Sequence, residues 1–397
     1  MTKVVLAYSG GLDTSVSIVW LREKYDAEVY TVTLDVGQDG DFETIGERAE
    51  KLGAVEHFFI DAKEEFVKDY VFPSIKANGL YGGKYPLSSA LSRPLIARKL
   101  VEVADKVGAD AVAHGCTGRG NDQVRIEVTV KALNPELKVL APVREWGLDR
   151  ESELEYARKH GIPFTREKLY SVDQNLWGRS IECGPLENPD MEPPEGVFKW
   201  TVSPEKAPDK PEYVTIGFED GVPVSLDGER MDGVTLIKTL NMIAGRNGVG
   251  RIDHIEDRVV GIKTREVYEC PAALCILEAH KDLEKLVLTP RQLRFKETVD
   301  REWGVLVYSG LWCEPLKEDL ETFIENTQRF VKGWVRLKLY KGSMLVVSRM
   351  SEYSLYSKEM ATYSVEGKFD QSAAPGFIEI WGLPSRLAWR VCKRTGR

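Results

Sequence analysis

Residues 4–15 of the chain are VVLAYSGGLDTS. The apolar, β-branched run at the start of this stretch predicts a buried strand, and the segment that follows Leu12 predicts a helix. Gly10 and Gly11 let the backbone between them turn tightly and approach a ligand closely. Because the free N–H groups at a helix N-terminus attract anions, the stretch indicates an anion-binding loop between a strand and a helix.

This loop differs from a Walker-type phosphate loop, since no lysine stands where one contacts the β and γ phosphates. It carries Asp13 instead, and a carboxylate repels phosphates unless a cation such as Mg²⁺ lies between them. Two interpretations of Asp13 stay open: it contacts a metal ion or a phosphate group, or it only caps the helix. Only the first also accounts for the adjacent glycine pair.

Downstream of the loop, β-branched runs alternate with amphipathic segments, which predicts a doubly wound α/β domain with a parallel sheet over residues 1–166. Ligands of such sheets lie at the carboxyl ends of the strands. The predicted strands are Val4–Tyr8, Glu28–Asp35, His57–Asp61, Asp110–Ala113 and Val139–Ala141. The predicted helices are Thr14–Lys24, Thr44–Leu52, Leu91–Val107, Asp122–Leu133 and Arg150–His160.

Residues 187–211 contain six prolines, which exclude a regular helix and predict an extended connection. The pattern around and beyond it predicts a second, mixed α+β region over residues 167–368. Its predicted strands are Tyr213–Phe218, Val222–Leu226, Arg258–Thr264, Val305–Ser309, Val335–Tyr340 and Met344–Arg349. Its predicted helices are Val234–Ala244, Ala272–Leu286, Pro290–Glu302 and Leu316–Phe330.

The last segment, residues 369–397, carries Leu383, Leu387 and Val391 at fourfold spacing. This spacing is typical of one face of a helix and predicts a C-terminal helical arm. The arm either reaches another subunit or docks within its own chain.

The composition excludes several classes of protein. The 397 residues are 43% hydrophobic and 29% charged, as in ordinary globular chains, and a net charge of -8 argues against a nucleic-acid partner. No apolar run is long enough to span a bilayer, and the N-terminus has no signal-peptide pattern. The six cysteines form no CxxC pairs, so we expect a reduced, cytoplasmic protein without a resident metal site or a membrane partner.

A second glycine-rich loop lies in HGCTGRGNDQVR, residues 114–125. It follows a predicted strand and opens a helix, so it lies at the same edge of the sheet as the first loop. Thr117 and Asn121 can bond a carboxylate and Asp122 can hold an ammonium group, which suits a small zwitterion. Alternatively, Asn121 and Asp122 only cap the helix. Arg125 lies four residues after Asn121, so the two share a helix face.

The two loops resemble those of the N-type ATP pyrophosphatases, and further segments narrow the resemblance to the argininosuccinate synthase family. AYSGGLDTS at residues 7–15 is similar to the pyrophosphatase loop, and residues 114–125 are similar to the segment HGxTGxGNDQxR. Other matching segments are YSVDQNL at 170–176, GVGRID at 248–253 and YECPA at 268–272. The resemblance implies an adenine nucleotide alpha hydrolase-like fold followed by a synthetase domain. It also implies that ATP, citrulline and aspartate form argininosuccinate, AMP and pyrophosphate through citrullyl-AMP, a step of arginine biosynthesis.

The same resemblance implies the site residues. The implied ATP-binding residues are Ala7, Tyr8, Ser9, Gly10, Gly11, Leu12, Asp13, Thr14, Ser15, Leu34 and Gly115. The implied citrulline-binding residues are Tyr85, Ser89, Asn121, Arg125, Ser171, Ser180, Glu256 and Tyr268. The implied aspartate-binding residues are Thr117, Asn121 and Asp122. A homotetramer, with residues 369–397 as its oligomerisation arm, is implied as well.

We expect catalytic roles for Asp13, Asp122 and Arg125, with Mg²⁺ accompanying ATP. Asp122 is the nearest candidate base, but its ordinarily low pKa makes it a poor one, and bound pyrophosphate is the alternative proton acceptor. Two departures from the family pattern stand out: Leu34 replaces a small residue, and Ser88 with Ser89 replaces a Gly-Thr pair. Two other functions stay open, namely another adenylating ligase with this loop type and a nucleotide-binding sensor without catalysis.

Overall fold

The computed structural model describes residues 2–147, 150–162, 169–363 and 367–395. The chain forms two compact units, Met1–Tyr353 and Ser354–Arg397. The domain boundary predicted at residue 166 lies outside the described residues, and the division of the chain at 166 and 368 stays a prediction.

The N-terminal part alternates strands and helices, as the sequence predicts. Its elements are β1 (Thr2–Ala7), α1 (Leu12–Tyr25), β2 (Ala27–Asp35), α2 (Phe42–Lys51), β3 (Glu56–Asp61), α3 (Lys63–Phe66), a π-helical turn (Val67–Val71), α4 (Phe72–Lys76), α5 (Ser88–Val107), β4 (Ala111–Ala113), α6 (Asp122–Leu133), β5 (Lys138–Leu140), α7 (Pro142–Glu145) and α8 (Arg150–Lys159).

The five strands of this part form one parallel sheet in the order β3-β2-β1-β4-β5. Successive residues of β1 pack into different apolar cores, Val5 into one and Val4 with Leu6 into the other. Alternation of this kind buries both faces of a strand, as in a sheet covered by helices on both sides. The doubly wound fold is therefore confirmed, and its topological switch point lies between β1 and β4.

The next part of the first unit holds two antiparallel sheets. Its elements are β6 (Ser171–Asn175), β7 (Gly178–Glu182), 3₁₀ turns at Gly184–Glu187 and Glu195–Val197, β8 (Glu212–Glu219), β9 (Val222–Leu226), β10 (Glu229–Arg230), α9 (Gly233–Arg246), β11 (Arg251–Asp257), β12 (Lys263–Glu269), α10 (Pro271–Val287), α11 (Pro290–Tyr308), α12 (Pro315–Thr327), a 3₁₀ turn at Gln328–Phe330, β13 (Gly333–Tyr340) and β14 (Ser343–Met350). The sheets have the strand orders β10-β9-β8-β13-β14 and β11-β12-β7-β6.

Two predicted strands are wrong. Val305–Ser309 forms the end of α11, a helix that opens with a complete capping box at Thr289 and Gln292 and continues through this β-branched run. Arg258–Thr264 is mostly the turn between β11 and β12, in which Gly261 has a φ of +85°. In both places tertiary packing and turn geometry override a short apolar run, which by itself does not distinguish a strand from a helix.

The second unit, described by itself, contains α13 (Lys358–Ala361), a 3₁₀ turn at Gln371–Ala373, α14 (Ala374–Trp381) and α15 (Leu383–Arg394). It confirms the predicted C-terminal helical arm. The side chains of Leu383, Leu387 and Val391 on α15 are all exposed. Within the described part of the chain, no helix is long and apolar enough to cross a membrane.

A buried ionic network joins α10 and α11. The ammonium group of Lys296, which is 1% exposed, lies 3.0 Å from Glu284 and 2.8 Å from Asp300. The same group donates to the carbonyl of Lys76 at 2.7 Å, and Asn78 donates to both carboxylates. Each buried charge thus has a partner, as burial requires.

Replacing Lys296 by Met should lower the free energy of unfolding by about 3–5 kcal/mol, because two buried carboxylates then lose their cation. Guanidinium denaturation followed by tryptophan fluorescence measures the change. Lys51→Met, which removes an exposed lysine paired with Glu47, is the control and should change the value by less than about 0.5 kcal/mol. Equal stability of the two variants would contradict this account of the network.

Candidate active site

The first glycine loop joins β1 to α1. Gly10 has a φ of +73°, a conformation that residues with a Cβ rarely adopt. The N-cap residue of α1 is Gly11, and no side chain caps the helix there. Asp13 therefore lies inside the first turn and is not the N-cap residue, which weighs against the interpretation that it only caps the helix.

Side chains of the loop itself and of two helices, α1 and α2, stabilise its conformation. The hydroxyls of Ser9 and Thr14 lie 3.2 Å apart, and those of Tyr8 and Ser15 lie 3.1 Å apart, so the loop is tied to the first turn of α1. The Arg48 guanidinium on α2 donates to the carbonyl of Gly10 at 2.8 Å. The hydrogen bond satisfies the carbonyl oxygen of Gly10. The guanidinium also places a positive charge beside a loop that lacks the Walker lysine.

The second glycine loop lies directly against the first. A Cβ at Gly115 would come within 2.9 Å of the Thr14 side chain and 3.9 Å of Asp13. Of the other residues predicted to bind ATP, Ala7 ends β1, Leu12 begins α1, and Leu34 is a buried residue of β2. The adjacency of β1 and β4 thus brings the two predicted loops together.

A buried histidine supports the second loop. His114 is 1% exposed, its Nε2 lies 3.0 Å from Glu127 on α6, and its Nδ1 accepts from the backbone N–H of Cys116 at 3.2 Å. Since Nδ1 accepts, Nε2 carries the proton and donates to the carboxylate. Thr117 lies exposed on the outer part of this loop.

Arg93 on α5 holds together two carboxylates of the candidate site. Its Nη2 lies 2.7 Å from Asp122 and 3.0 Å from Asp173 on β6, and Asp173 also accepts from the hydroxyl of Ser89 at 2.6 Å. Asp122 receives a second guanidinium from Arg125 at 3.1 Å. Burial alone would raise the pKa of Asp122, but the two guanidinium groups outweigh it and hold that pKa below its ordinary value.

The sheet β11-β12-β7-β6 presents one polar face. Tyr268 pairs with Ser180, Ser180 with Asp173, and Glu256 with Thr264 across neighbouring strands. Because paired residues and alternate residues of a strand lie on the same side, four predicted citrulline residues share this face. These residues are Ser171, Ser180, Glu256 and Tyr268.

Glu256 is the buried carboxylate of this face, with 3% exposure. The hydroxyl of Tyr268 donates to its Oε1, and the hydroxyl of Tyr308 on α11 donates to its Oε2 at 2.8 Å. Tyr268 also stacks on Tyr85 with ring centroids 4.3 Å apart. Tyr85 in turn accepts from the backbone N–H of Ser89 at 2.8 Å, so the segment before α5 joins the same cluster.

Asn121 links the second loop to this cluster. Its Nδ2 donates to the Tyr308 hydroxyl at 3.0 Å, and its Oδ1 accepts from the N–H of Val259 in the turn after β11 at 2.9 Å. Arg125 donates from Nε to the carbonyl of Tyr308 at 3.0 Å. The structure therefore places most predicted amino-acid-binding residues in one connected group, with Thr117 and Ser171 exposed around it.

Sequence reasoning missed Arg93, Asp173 and Tyr308. The available signal for Arg93 was its position in the first turn of the predicted helix Leu91–Val107, which begins just after Ser89, and Asp173 lies inside the matching segment YSVDQNL. Tyr308 was missed because the sequence analysis predicted a strand at Val305–Ser309, whereas Tyr308 is the last residue of α11.

Two family models match the chain: the Arginosuccinate synthase N-terminal HUP domain over residues 3–163 and the Arginosuccinate synthase C-terminal domain over residues 170–388. The argininosuccinate synthase of Pyrococcus furiosus is 61% identical over 98% of this chain and 95% of its own length. The chain belongs to the argininosuccinate synthase family.

Other argininosuccinate synthases are similarly close. That of Pyrobaculum aerophilum is 60% identical over 98% of both chains, and that of Rubrobacter xylanophilus is 60% identical over 97% of this chain and 94% of its own. One solved structure with partial similarity is described as a predicted subunit of a tRNA methyltransferase from Methanocaldococcus jannaschii. The match covers 40% of this chain and 76% of that chain, at 18% identity and a TM-score of 0.28. This similarity is too low to inform the fold.

Membership in the argininosuccinate synthase family makes the chain an ATP-dependent ligase that forms AMP and diphosphate. The reaction of the family condenses L-citrulline with L-aspartate to argininosuccinate through citrullyl-AMP, in arginine biosynthesis. The sequence prediction of the reaction is thereby confirmed.

The polar face of the sheet also carries a carboxylate pair that shares one arginine. Arg258 lies 2.5 Å from Glu182 and 3.0 Å from Glu266, and it donates to the carbonyl of Arg119 at 3.2 Å. Burial and the neighbouring Glu182 carboxylate raise the pKa of Glu266 to about 8. Folded Glu266 therefore holds its proton more tightly than the unfolded chain does.

This raised pKa predicts a stability that falls with pH. The contribution of Glu266 is fully present below its unfolded pKa of ~4.3 and is lost as pH rises through about 8, because ionisation is then costlier in the folded state. Glu266→Gln removes this loss, so its thermal midpoint should exceed that of the parent by at least about 2 °C near ~pH 9 and lose the advantage near ~pH 5.

The control is Glu229→Gln, at an exposed position of β10. It should follow the parent protein at every pH. A constant offset between Glu266→Gln and the parent across the pH range would contradict the raised pKa.

Proposed function

We propose that the cluster built by the two glycine loops, α5, α6, α11 and the sheet β11-β12-β7-β6 is the site at which citrulline and aspartate are joined. The carrying observation is its continuity: Arg93, Asp122, Arg125, Tyr308 and Glu256 form one chain of contacts from the second loop to the polar sheet face. This continuity supports a site in which citrulline and aspartate lie side by side between the first glycine loop and the polar face of the sheet.

The first loop, Ala7–Ser15, is our proposed binding site for the phosphates of ATP, with Gly115 beside them and Leu34 next to the adenine. Mg²⁺ fits the donor types of this loop, because Asp13 supplies a carboxylate to the same loop as the hydroxyls of Ser9 and Thr14, and this ion is usually held by one or two carboxylates and the substrate phosphates. Bound there, the ion would neutralise charge on the departing pyrophosphate. Arg48 supports the same role from α2.

Citrulline is assigned to the polar face around Glu256. Its ammonium group requires an anionic partner, which the Glu256 carboxylate supplies, and its ureido and carboxylate groups require hydrogen-bond donors and acceptors. The residues assigned to these contacts are Tyr85, Ser89, Asn121, Arg125, Ser171, Ser180 and Tyr268. Aspartate is assigned to Thr117, Asn121 and Asp122 at the second loop.

In the first step the ureido oxygen of citrulline attacks the α-phosphorus of ATP, the bond to the pyrophosphate oxygen breaks, and citrullyl-AMP forms. The site contributes mainly by holding the weak nucleophile in line with the phosphorus. In the second step the amine of aspartate attacks the ureido carbon and AMP leaves. The amine must lose its proton, and we assign that proton to pyrophosphate, because the two guanidinium groups on Asp122 depress the pKa of that carboxyl.

Incubation with α-labelled ATP and Mg²⁺ tests the function. Labelled AMP and an equal amount of argininosuccinate should accumulate only when citrulline and aspartate are both present, and a chelator should abolish turnover. Labelled ADP, or ATP binding without turnover, would overturn the proposal.

Asp13→Asn should lower kcat by about 100-fold, because the carboxylate proposed to face the metal and phosphates is lost. The matched control is Asp26→Asn at the other end of α1, where the left-handed backbone also suits asparagine. Steady-state rates should leave the control near the parent value, and an unimpaired Asp13→Asn would remove Asp13 from the site.

We also propose a cytoplasmic homotetramer. All six cysteines are free thiols, which fits a reducing compartment. The exposed apolar side chains of α14 and α15 form the surface that a partner subunit would bury. They are Phe377, Ile378, Ile380, Trp381, Leu383, Leu387, Trp389 and Val391.

Leu387→Glu should shift the mass measured by light scattering from tetramer to a smaller species, because it places a charge within this apolar surface. Ser343→Glu, at an exposed position of β14 outside the arm, should keep the parent mass. An unchanged mass for Leu387→Glu would contradict an interface at the arm.

A further inference from the structure

Tyr308 is the residue on which three separate parts of the candidate site converge. Its hydroxyl contacts Asn121 at 3.0 Å and Glu256 at 2.8 Å, and its carbonyl accepts from Arg125. The ring is 1% exposed, and the Arg125 guanidinium lies 5.0 Å from its centroid. These partners come from the second loop, from α6 and from β11.

The hydrogen bonds through this hydroxyl have only one possible direction. The backbone N–H of Val259 can only donate, so the atom of Asn121 that faces it is the acceptor Oδ1. The amide nitrogen of Asn121 then donates to Tyr308, whose single proton is left for the carboxylate of Glu256. Burial and the Glu256 carboxylate raise the pKa of Tyr308, so the hydroxyl keeps that proton.

The tyrosine is itself held rigidly. Its ring stacks on that of Tyr81 with centroids 3.4 Å apart and an interplanar angle of 2°. Lys296 and Asp300 lie one turn apart on one face of α11, the helix whose last residue is Tyr308. Lys296 binds the carbonyl of Lys76 and Asp300 binds Asn78, so this face fixes the segment that leads to Tyr81 and Tyr85.

We propose that Tyr308 is a positioning residue that orients Glu256 for the ammonium group of citrulline and couples it to Asn121 of the second loop. With Tyr268 on one carboxylate oxygen and Tyr308 on the other, Glu256 cannot rotate. Without the Tyr308 hydroxyl, Glu256 loses one of its two donors and the Asn121 amide loses the acceptor for its nitrogen. This inference rests on the proposed assignment of Glu256 to citrulline.

The test is Tyr308→Phe, which removes only the hydroxyl. The KM for citrulline should rise about tenfold, as expected for losing a hydrogen bond to a charged group, while the KM for ATP stays within about twofold of the parent. Tyr70→Phe is the matched control, because Tyr70 is also buried and stacked, on Trp312 at 4.7 Å. It should leave every KM unchanged.

A double-variant cycle with Glu256→Gln separates positioning from a general structural effect. If Tyr308 acts through Glu256, adding Tyr308→Phe to Glu256→Gln should change the KM for citrulline by less than about twofold. The inference would be overturned if Tyr308→Phe raised the KM for citrulline by the same factor in the parent and in Glu256→Gln. A parallel rise in the KM for ATP, or no rise in the KM for citrulline, would overturn it as well.

The outcomes also distinguish this inference from the proposed function. A parent protein that makes no argininosuccinate would defeat the function, whereas an active parent with a normal Tyr308→Phe would defeat only the role of Tyr308. Should Tyr308→Phe not fold, Tyr81→Leu removes the ring stacked on Tyr308 and should raise the KM for citrulline while the KM for ATP stays within about twofold of the parent.

Discussion

The parallel pairing of β1 with β4 is the interaction on which the candidate site depends. β1 is central and pairs with β2 on its other side, so the loops that follow β1 and β4 leave the sheet at adjacent positions. Gly115 then packs against Thr14, and the anion-binding loop and the loop for the amino-acid substrates become neighbours. A different strand order would separate the two motifs, and the α-phosphorus of ATP could then not lie within reach of the ureido oxygen of citrulline.

The second constraint is that each carboxylate removed from water needs hydrogen-bond donors, and this determines which side chains surround the site. Glu256 is buried and Asp122 and Asp173 are half-buried, and their ionised forms require donors where contact with water is reduced. Tyrosine hydroxyls serve Glu256, and guanidinium groups serve Asp122 and Asp173. These donors also determine reactivity, since the guanidinium groups that stabilise Asp122 make it a poor proton acceptor.

Local sequence patterns predicted the elements whose conformation depends mainly on neighbouring residues. The strands of the parallel sheet and the helices between them follow from hydrophobic periodicity and from the glycine pair after β1, and the structure confirms them. The polar strands β6, β7 and β12 were missed because their sequences, such as Ser171–Asn175, show no apolar alternation. β6 and β7 form a hairpin, and the pairing of β7 with the distant strand β12 places that hairpin in the sheet. The strand predicted at Val305–Ser309 was wrong for a related reason, because the helix capped at Thr289 continues through this segment.

By itself, the sequence determined the doubly wound domain, the two glycine loops, the family and the chemical types of residue that its ligands need. Short-range periodicity and motif spacing encode these features within a few residues. The tertiary structure alone decided that Tyr308 contacts Asn121, which lies 187 positions away, and that Arg93 bridges Asp122 and Asp173. Contacts of that separation depend on how strands and helices pack in space, because no spacing rule along the chain relates residues brought together only by folding.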